Sequence, residues 1–277
     1  MNHSYLPRIV RDDVLNGAQG GASPVLLVSV RSIQEAQLAA DCGAGVIDFK
    51  EPSRGPLAPV AESIWKAAVE ASFEATLSAA LGEADTAIGL AAQVPAGFRF
   101  AKVGPSGAHS TAALAELWEQ LQLNPDVELV PVAYADHDAA KCINPHQVLD
   151  LVIRQHRSRL LIDTFVKDGR GLLDHIGLDE LSQLVQRARE ANVWIALAGS
   201  LCIADMQEIA GQGCLPDCVG VRGDVCKNSV ARTHVTMKPN GLSRDATESG
   251  LVLGERRMGR LCRARIEAWL ATLGQLV

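Results

Sequence analysis

Three lysines and two aspartates fall where short apolar runs of the chain come to an end. Asp48 and Lys50 close the run Val46–Phe49, Lys102 lies near the end of Phe98–Val103, and Asp163 and Lys167 end and follow the run beginning at Leu160. If these runs are strands, Asp48 and Lys50 point to the same face, because successive strand side chains alternate. A lysine drawn out of water or set beside other cations loses its proton more readily and becomes an amine that attacks carbonyls. Lys50 is therefore the expected Schiff-base nucleophile. Lys102 is the neighbour that would depress its proton affinity, or an acid/base group itself, and Asp48 could shuttle protons during carbinolamine dehydration. Asp163 could orient Lys167 or bind a substrate hydroxyl. The plainer alternative is a rim of ion pairs in which Lys50 and Lys102 neutralise Asp48 and Asp163. One strand-end lysine would be read that way; three converging on one mouth favour chemistry.

Other positions suggest binding. Gly199-Ser200 and Arg222-Gly223 follow the last two apolar runs. They could supply backbone N–H groups, a hydroxyl and a guanidinium to a phosphate, although each glycine could equally serve only a turn. Cys214, Cys218 and Cys226 have a C-x3-C-x7-C spacing without a matching second pair, so they are expected to be buried structural thiols rather than metal ligands. His137, between Asp136 and Asp138, is more simply read as part of a solvated loop.

The elements that must position these groups repeat along the chain. Apolar runs at Val25–Val30, Val46–Phe49, Ala75–Ala80, Phe98–Val103, Leu129–Tyr134, Leu160–Phe165, Val193–Ala198 and Cys218–Val221 alternate with helical patterns. Ser32 and Glu35 have capping-box spacing, Gly43 ends the helix they open, and Asn144-Pro145-His146-Gln147 starts another. Leu114, Leu117, Trp118 and Leu121 follow helical spacing, as do Met258, Cys262, Ile266, Trp269, Leu270 and Leu273 near the end. Continuously apolar strands are those buried on both faces. Eight strand–helix units predict an α/β fold, a single (β/α)8 TIM barrel, with catalytic groups at the carboxyl ends of its strands. An open doubly wound sheet is the runner-up, weakened because no glycine-rich dinucleotide fingerprint follows the first run. Residues 1–24 form an N-terminal extension and 25–277 the barrel domain, with a long loop after strand eight at 227–253.

Composition narrows the functional classes. The 277 residues carry a net charge of −6, which argues against a nucleic-acid surface but leaves room for a local lysine cluster and an anionic substrate. Seven cysteines spread through the chain suggest a reducing cytoplasm, and no segment reads as a signal peptide or membrane span. A small phosphorylated molecule is the expected partner, with no membrane, no organic cofactor and no required metal. Composition leaves a homo-oligomer open.

The ordered motifs LLVSV at 26–30, IDFKEP at 47–52, KVG at 102–104, YAD at 134–136, DTFVKDG at 163–169, LAGS at 197–200 and VGVRG at 219–223 carry a family resemblance. The chain resembles the (5-formylfuran-3-yl)methyl phosphate synthases, also called 4-(hydroxymethyl)-2-furancarboxaldehyde-phosphate synthases, of methanofuran biosynthesis. The resemblance implies a cytoplasmic, lysine-dependent barrel lyase of one-carbon metabolism that joins two glyceraldehyde 3-phosphate molecules, releasing phosphate and water. It implies Lys50 as Schiff-base former and Lys102 as proton acceptor. Asp48, Asp163 and Lys167 match further polar positions, and Gly199, Ser200, Arg222 and Gly223 match the phosphate end. Glu51 stands where an Asn commonly follows the lysine. Two rivals remain: another class I aldolase or phosphosugar lyase using the same lysines, and a non-catalytic metal-handling barrel relying on Cys and His.

Overall fold

A computed structural model of the chain describes residues 23–227 and 256–276. The expected N-terminal extension, apart from its last residues, and nearly all of the 227–253 loop lie outside the described residues. Eight parallel strands close into a barrel: β1 Val25–Val30, β2 Val46–Phe49, β3 Thr76–Ala80, β4 Phe100–Val103, β5 Glu128–Tyr134, β6 Arg159–Asp163, β7 Trp194–Leu197 and β8 Cys218–Val221. Pairing of β8 with β1, Val25 opposite Cys218 through Val28 opposite Val221, closes the ring and excludes the open-sheet alternative. The helices between them are α1 Ile33–Cys42, α2 Glu62–Ala71, α3 Ala84–Leu90, α4 Thr111–Gln120, α5 Pro145–Arg154, α6 Leu178–Glu190, α7 Ile203–Gly211 and, after β8, α8 Arg263–Leu273; a single helical turn, His137–Ala140, precedes α5. No helix among the described residues is long and apolar enough to cross a membrane.

Local sequence accounts for many of the boundaries. Asn144 and Gln147 form a reciprocal capping box at α5, with Pro145 in the first turn. Gly43 ends α1 with φ of 95°, a conformation open mainly to glycine. The expected box at α1 is only half realised. Ser32 caps the Glu35 N–H, but the Glu35 carboxylate accepts from the Arg31 N–H instead of the cap residue.

Several elements stop short of their apolar patterns, most clearly β4, β6 and α8. Phe98 precedes β4 in a turn closed onto the Pro95 carbonyl, and its ring packs 5.8 Å from Phe49 and 6.4 Å from Trp65. Beyond β6, the Phe165 and Val166 N–H groups turn to the Asp136 carboxylate at 2.6 and 2.7 Å, which ends the ladder at Asp163. Met258 lies in a 3-10 turn, Arg256–Met258, rather than in α8, and is 38% exposed. Leu261 then bridges Cys226 before α8 begins, and the Trp269 indole donates to Asp224 at 2.9 Å. These contacts return the last segment to the carboxyl end of β8.

The apolar residues divide into two clusters. One fills the space between strands and helices, with Ile47, Phe49, Trp65, Leu149 and Trp269 among its members. The other, containing Leu27, Val46, Phe100, Val130, Leu161, Ala196 and Cys218, fills the barrel's interior. Above that apolar floor the interior turns polar.

Candidate active site

Strand register stacks polar residues over the interior cluster. Ser29 pairs with Asp48 across β1 and β2, and Asp48 with Ser78 across β2 and β3. Both serines donate to the Asp48 carboxylate, at 3.2 and 3.0 Å, and Lys102 reaches the same carboxylate from β4 at 2.6 Å. Asp48 is fully buried and Lys102 only 4% exposed. Burying such a pair is costly unless additional hydrogen bonds satisfy it, and the serines provide them.

A second pair stands across the mouth. Lys167 donates to Asp163 at 2.9 Å and to the Thr164 hydroxyl at 2.9 Å, while the Thr164 N–H adds a 2.7 Å bond to Asp163. Burial pushes the Asp163 carboxyl up, but Lys167, Lys50 and these hydrogen bonds outweigh it and hold Asp163 below the usual carboxylate range.

Lys50 extends β2 by one residue, its N–H bonded to the Val30 carbonyl at 3.0 Å, and lines the pocket with Lys102, Asp163 and Lys167. Burial lowers its pKa to about 8, opposed by Asp163 and Asp48 and assisted by Lys102 and Lys167. Lys102 and Lys167 are each committed to a carboxylate; among the described residues Lys50 has no bridging partner. The structure thus brings together all five predicted Lys and Asp residues. It also distinguishes Lys50, which makes no ion pair among the described residues, from the two lysines held in them.

The space within the pocket, open solvent at its mouth included, is about 900 Å³. Gly199, Ser200, Arg222 and Gly223 also line it. Gly199 has φ of 101°, and an added Cβ would meet Thr164 Cγ2 at 2.9 Å and its backbone nitrogen at 3.2 Å. Ser200, also left-handed at φ 54°, is exposed at the mouth. Gly199→Ala is therefore expected to destabilise the fold by about 1–3 kcal/mol and to impair the Ser200 turn; denaturant unfolding measures the first effect. An unchanged midpoint would show that the turn relaxes freely.

Arg222 departs from its expected role in phosphate binding. Its guanidinium makes five hydrogen bonds: two to Glu35, at 2.6 and 3.0 Å, and one each to the carbonyls of Ser29, Arg257 and Gly259. All five donors of an arginine are thereby used. Burial pushes Glu35 up, but Arg222 and Arg31 hold its carboxyl below the ordinary range. Arg222 locks β8 to α1 and to the segment before α8, so the side chain has no donor left for a phosphate. Glu51, in the position after Lys50, is also structural: it caps the Pro52–Arg54 turn through Ser53.

Several groups escaped the sequence patterns. Ser29 and Ser78 were legible only through strand alternation. Glu83, after β3, accepts from the Tyr134 hydroxyl at 2.6 Å and the Ser106 N–H at 3.0 Å. Burial raises the Glu83 carboxyl pKa despite both bonds and places the Tyr134 phenol well above its ordinary range. Arg257 also lines the pocket, and nothing in the strand pattern marked it. Cys214, Cys218 and Cys226 are buried separately, with the Cys214 and Cys226 thiols donating to backbone carbonyls. No group of three Cys, His, Asp or Glu residues suited to a metal occurs among the described residues. Asp136 is occupied by the two β6–α6 loop amides, and His137 lies beside Asp138 at 3.5 Å.

A closed parallel barrel with charged groups gathered at the carboxyl ends of its strands defines the class of (β/α)8-barrel enzymes. Within that class the chain belongs to the 4-HFC-P synthase family, whose sequence profile matches residues 26–240. A (5-formylfuran-3-yl)methyl phosphate synthase of Methanopyrus kandleri is 30% identical over 231 residues, covering 78% of this chain and 97% of the relative. The like-named protein of a Methanococcus maripaludis strain is 31% identical over 214 residues, covering 73% and 89%. Among solved structures, phosphoribosyl anthranilate isomerase of Thermotoga maritima superimposes with a TM-score of 0.56 at 10% identity, covering 91% of this chain and 99% of that one. That likeness concerns the fold alone.

Proposed function

We propose that the protein condenses two molecules of glyceraldehyde 3-phosphate into 4-(hydroxymethyl)-2-furancarboxaldehyde phosphate, releasing phosphate and water, in biosynthesis of a methanofuran-type cofactor. The single observation that carries the reading is the contrast among the pocket lysines. Lys50 is without a bridging partner among the described residues and has a pKa near 8, whereas Lys102 and Lys167 are salt-bridged. The names of the family relatives support the choice of product.

In this mechanism the Lys50 amine adds to the carbonyl of one triose phosphate, and loss of water leaves an imine. The imine draws electrons from the adjacent carbon, which loses a proton to the Asp48–Lys102 couple and becomes an enamine carbon. At 2.6 Å the two members of that couple can pass a proton between them. The enamine attacks the aldehyde of the second triose phosphate, and Lys167 protonates the new alkoxide from its place beside Asp163. Elimination of one phosphate, dehydration and ring closure yield the furan, and hydrolysis frees Lys50.

Product analysis tests the reading. Purified protein incubated with glyceraldehyde 3-phosphate should form a phosphorylated furan aldehyde, identified by mass and by its conjugated absorbance, together with inorganic phosphate. Formation of a hexose bisphosphate without phosphate release would assign the same lysines to a simple aldolase instead.

A further inference from the structure

Arg257 comes from the turn Arg256–Met258, beyond the residue at which the family match ends. It lines the same pocket as Lys50, which Gly199, Ser200 and Gly223 line as well. Its main chain is held there by Arg222, whose Nε donates to the Arg257 carbonyl at 2.9 Å, and the 256–257 backbone lies against Gly223. A Cβ at Gly223 would stand 3.6 Å from the Arg257 nitrogen.

The side chain differs from its neighbours. Arg31 and Arg222 bond to Glu35, and Arg256 pairs with Asp224 at 2.6 Å. Arg257 Nε is buried with no hydrogen-bond partner, and no described carboxylate forms an ion pair with the guanidinium. Arg257 is half-buried, and a buried N–H without an acceptor is unfavourable and is normally satisfied. Burial lowers the pKa of Arg257, with only the charge of Asp163 opposing it. In the same pocket, the Ser200 and Gly223 N–H groups have no backbone acceptor among the described residues. An unpaired guanidinium and free backbone donors around one concavity suit a tetrahedral oxyanion, which accepts from several directions at once.

We infer that Arg257, with the Ser200 and Gly223 amides, binds the phosphate of a phosphomonoester substrate and is the specificity-determining cation of this pocket, the role Arg222 cannot fill. The inference rests on the proposed phosphorylated substrate for its catalytic meaning, while the anion site itself is separately measurable. Bound phosphate neutralises the guanidinium and fixes the far end of the substrate. The carbonyl is thereby presented to Lys50, and an unphosphorylated aldehyde gains nothing from the site.

The test uses the full chain, with inorganic phosphate as the first probe. Wild-type protein should bind phosphate in a calorimetric titration and melt at a higher temperature in its presence. Arg257→Met should bind phosphate roughly tenfold or more weakly, the scale of a lost charge-assisted hydrogen bond. In phosphate-free buffer it should melt at or above the wild-type temperature, because an unsatisfied buried N–H is gone. Arg257→Lys should keep part of the affinity. With glyceraldehyde 3-phosphate, Arg257→Met should show a raised KM, while borohydride trapping of unphosphorylated glyceraldehyde on Lys50 stays at the wild-type level. Unchanged phosphate affinity in Arg257→Met overturns the inference. So does a lowered phosphate-free melting temperature in both variants, which would mark Arg257 as a structural cation. If wild-type Lys50 is never labelled yet Arg257→Met still loses phosphate, the anion site stands and the imine mechanism falls.

Discussion

Lys50→Ala should lower turnover of glyceraldehyde 3-phosphate by roughly 10⁴-fold or more, the scale seen when a covalent nucleophile is removed, and should leave the fold intact. Lys50 is half-buried and makes no ion pair among the described residues, so its truncation leaves no carboxylate stranded. Borohydride reduction in the presence of substrate should attach one triose phosphate to wild-type protein, with peptide mapping placing it on Lys50, and nothing to the variant. A reduced adduct on Lys102 or Lys167 would retain the chemistry and reassign the nucleophile. The pH dependence has a definite sign. The amine is the reactive form and the Lys50 pKa is lowered to about 8, so kcat/KM should climb about tenfold per pH unit below 8 and level off above it. An ordinary surface lysine would still be climbing at pH 10. By contrast, Asp48→Asn should harm stability as well as rate, because it leaves the Lys102 ammonium buried without its counter-ion.

Glu35→Ala should cost about 3–5 kcal/mol of unfolding free energy, since it strips a buried arginine of its charge partner. Arg222 is 7% exposed and receives from Glu35 its only carboxylate contacts among the described residues; the three remaining bonds are to neutral carbonyls. Domains of this kind have only about 5–15 kcal/mol in hand, so the variant should unfold at much lower denaturant. Glu62→Ala is the control. Its pair with Lys66 is solvent-exposed, at 64% and 42%, and its loss should cost less than about 0.5 kcal/mol. Equal midpoints for the two variants would refute the idea that Glu35 neutralises a structural arginine. Because Arg222 also holds the Arg257 carbonyl, Glu35→Ala should weaken phosphate binding even before the protein unfolds.

The barrel was legible because its strands are apolar on both faces and its helices carry local signals. Asn144, Pro145 and Gln147 needed no distant partner to start α5, nor did Gly43 to end α1. The gathering of lysines and aspartates at one mouth was legible for a related reason. In a parallel barrel every strand's carboxyl end faces the same mouth, so strand-end residues such as Lys50, Lys102 and Asp163 converge whatever their separation in the chain. Where a pattern ran past its element, a long-range bond had intervened. Asp136 captures the Phe165 and Val166 amides and cuts short a run that otherwise reads as strand.

What residue order by itself determined, then, was the α/β barrel, the face on which Asp48 and Lys50 lie, and the set of lysines and aspartates at the mouth. Those follow from periodicity, caps and turns, which act over a few residues. Which cation pairs with which anion was decided only by tertiary structure. Arg222 has the position of a phosphate ligand, but Glu35, 187 residues away in sequence, takes its guanidinium. Arg257 sits in an unremarked turn, yet packing of α8 onto β1 and onto the 3-10 turn Gly223–Val225 carries it to the pocket with its Nε unpartnered. Lys50, too, is set apart from Lys102 and Lys167 only because Asp48 and Asp163 are already engaged by the other two. Charge pairing and desolvation depend on separations of a few ångströms in space, and spacing along the chain carries no record of them.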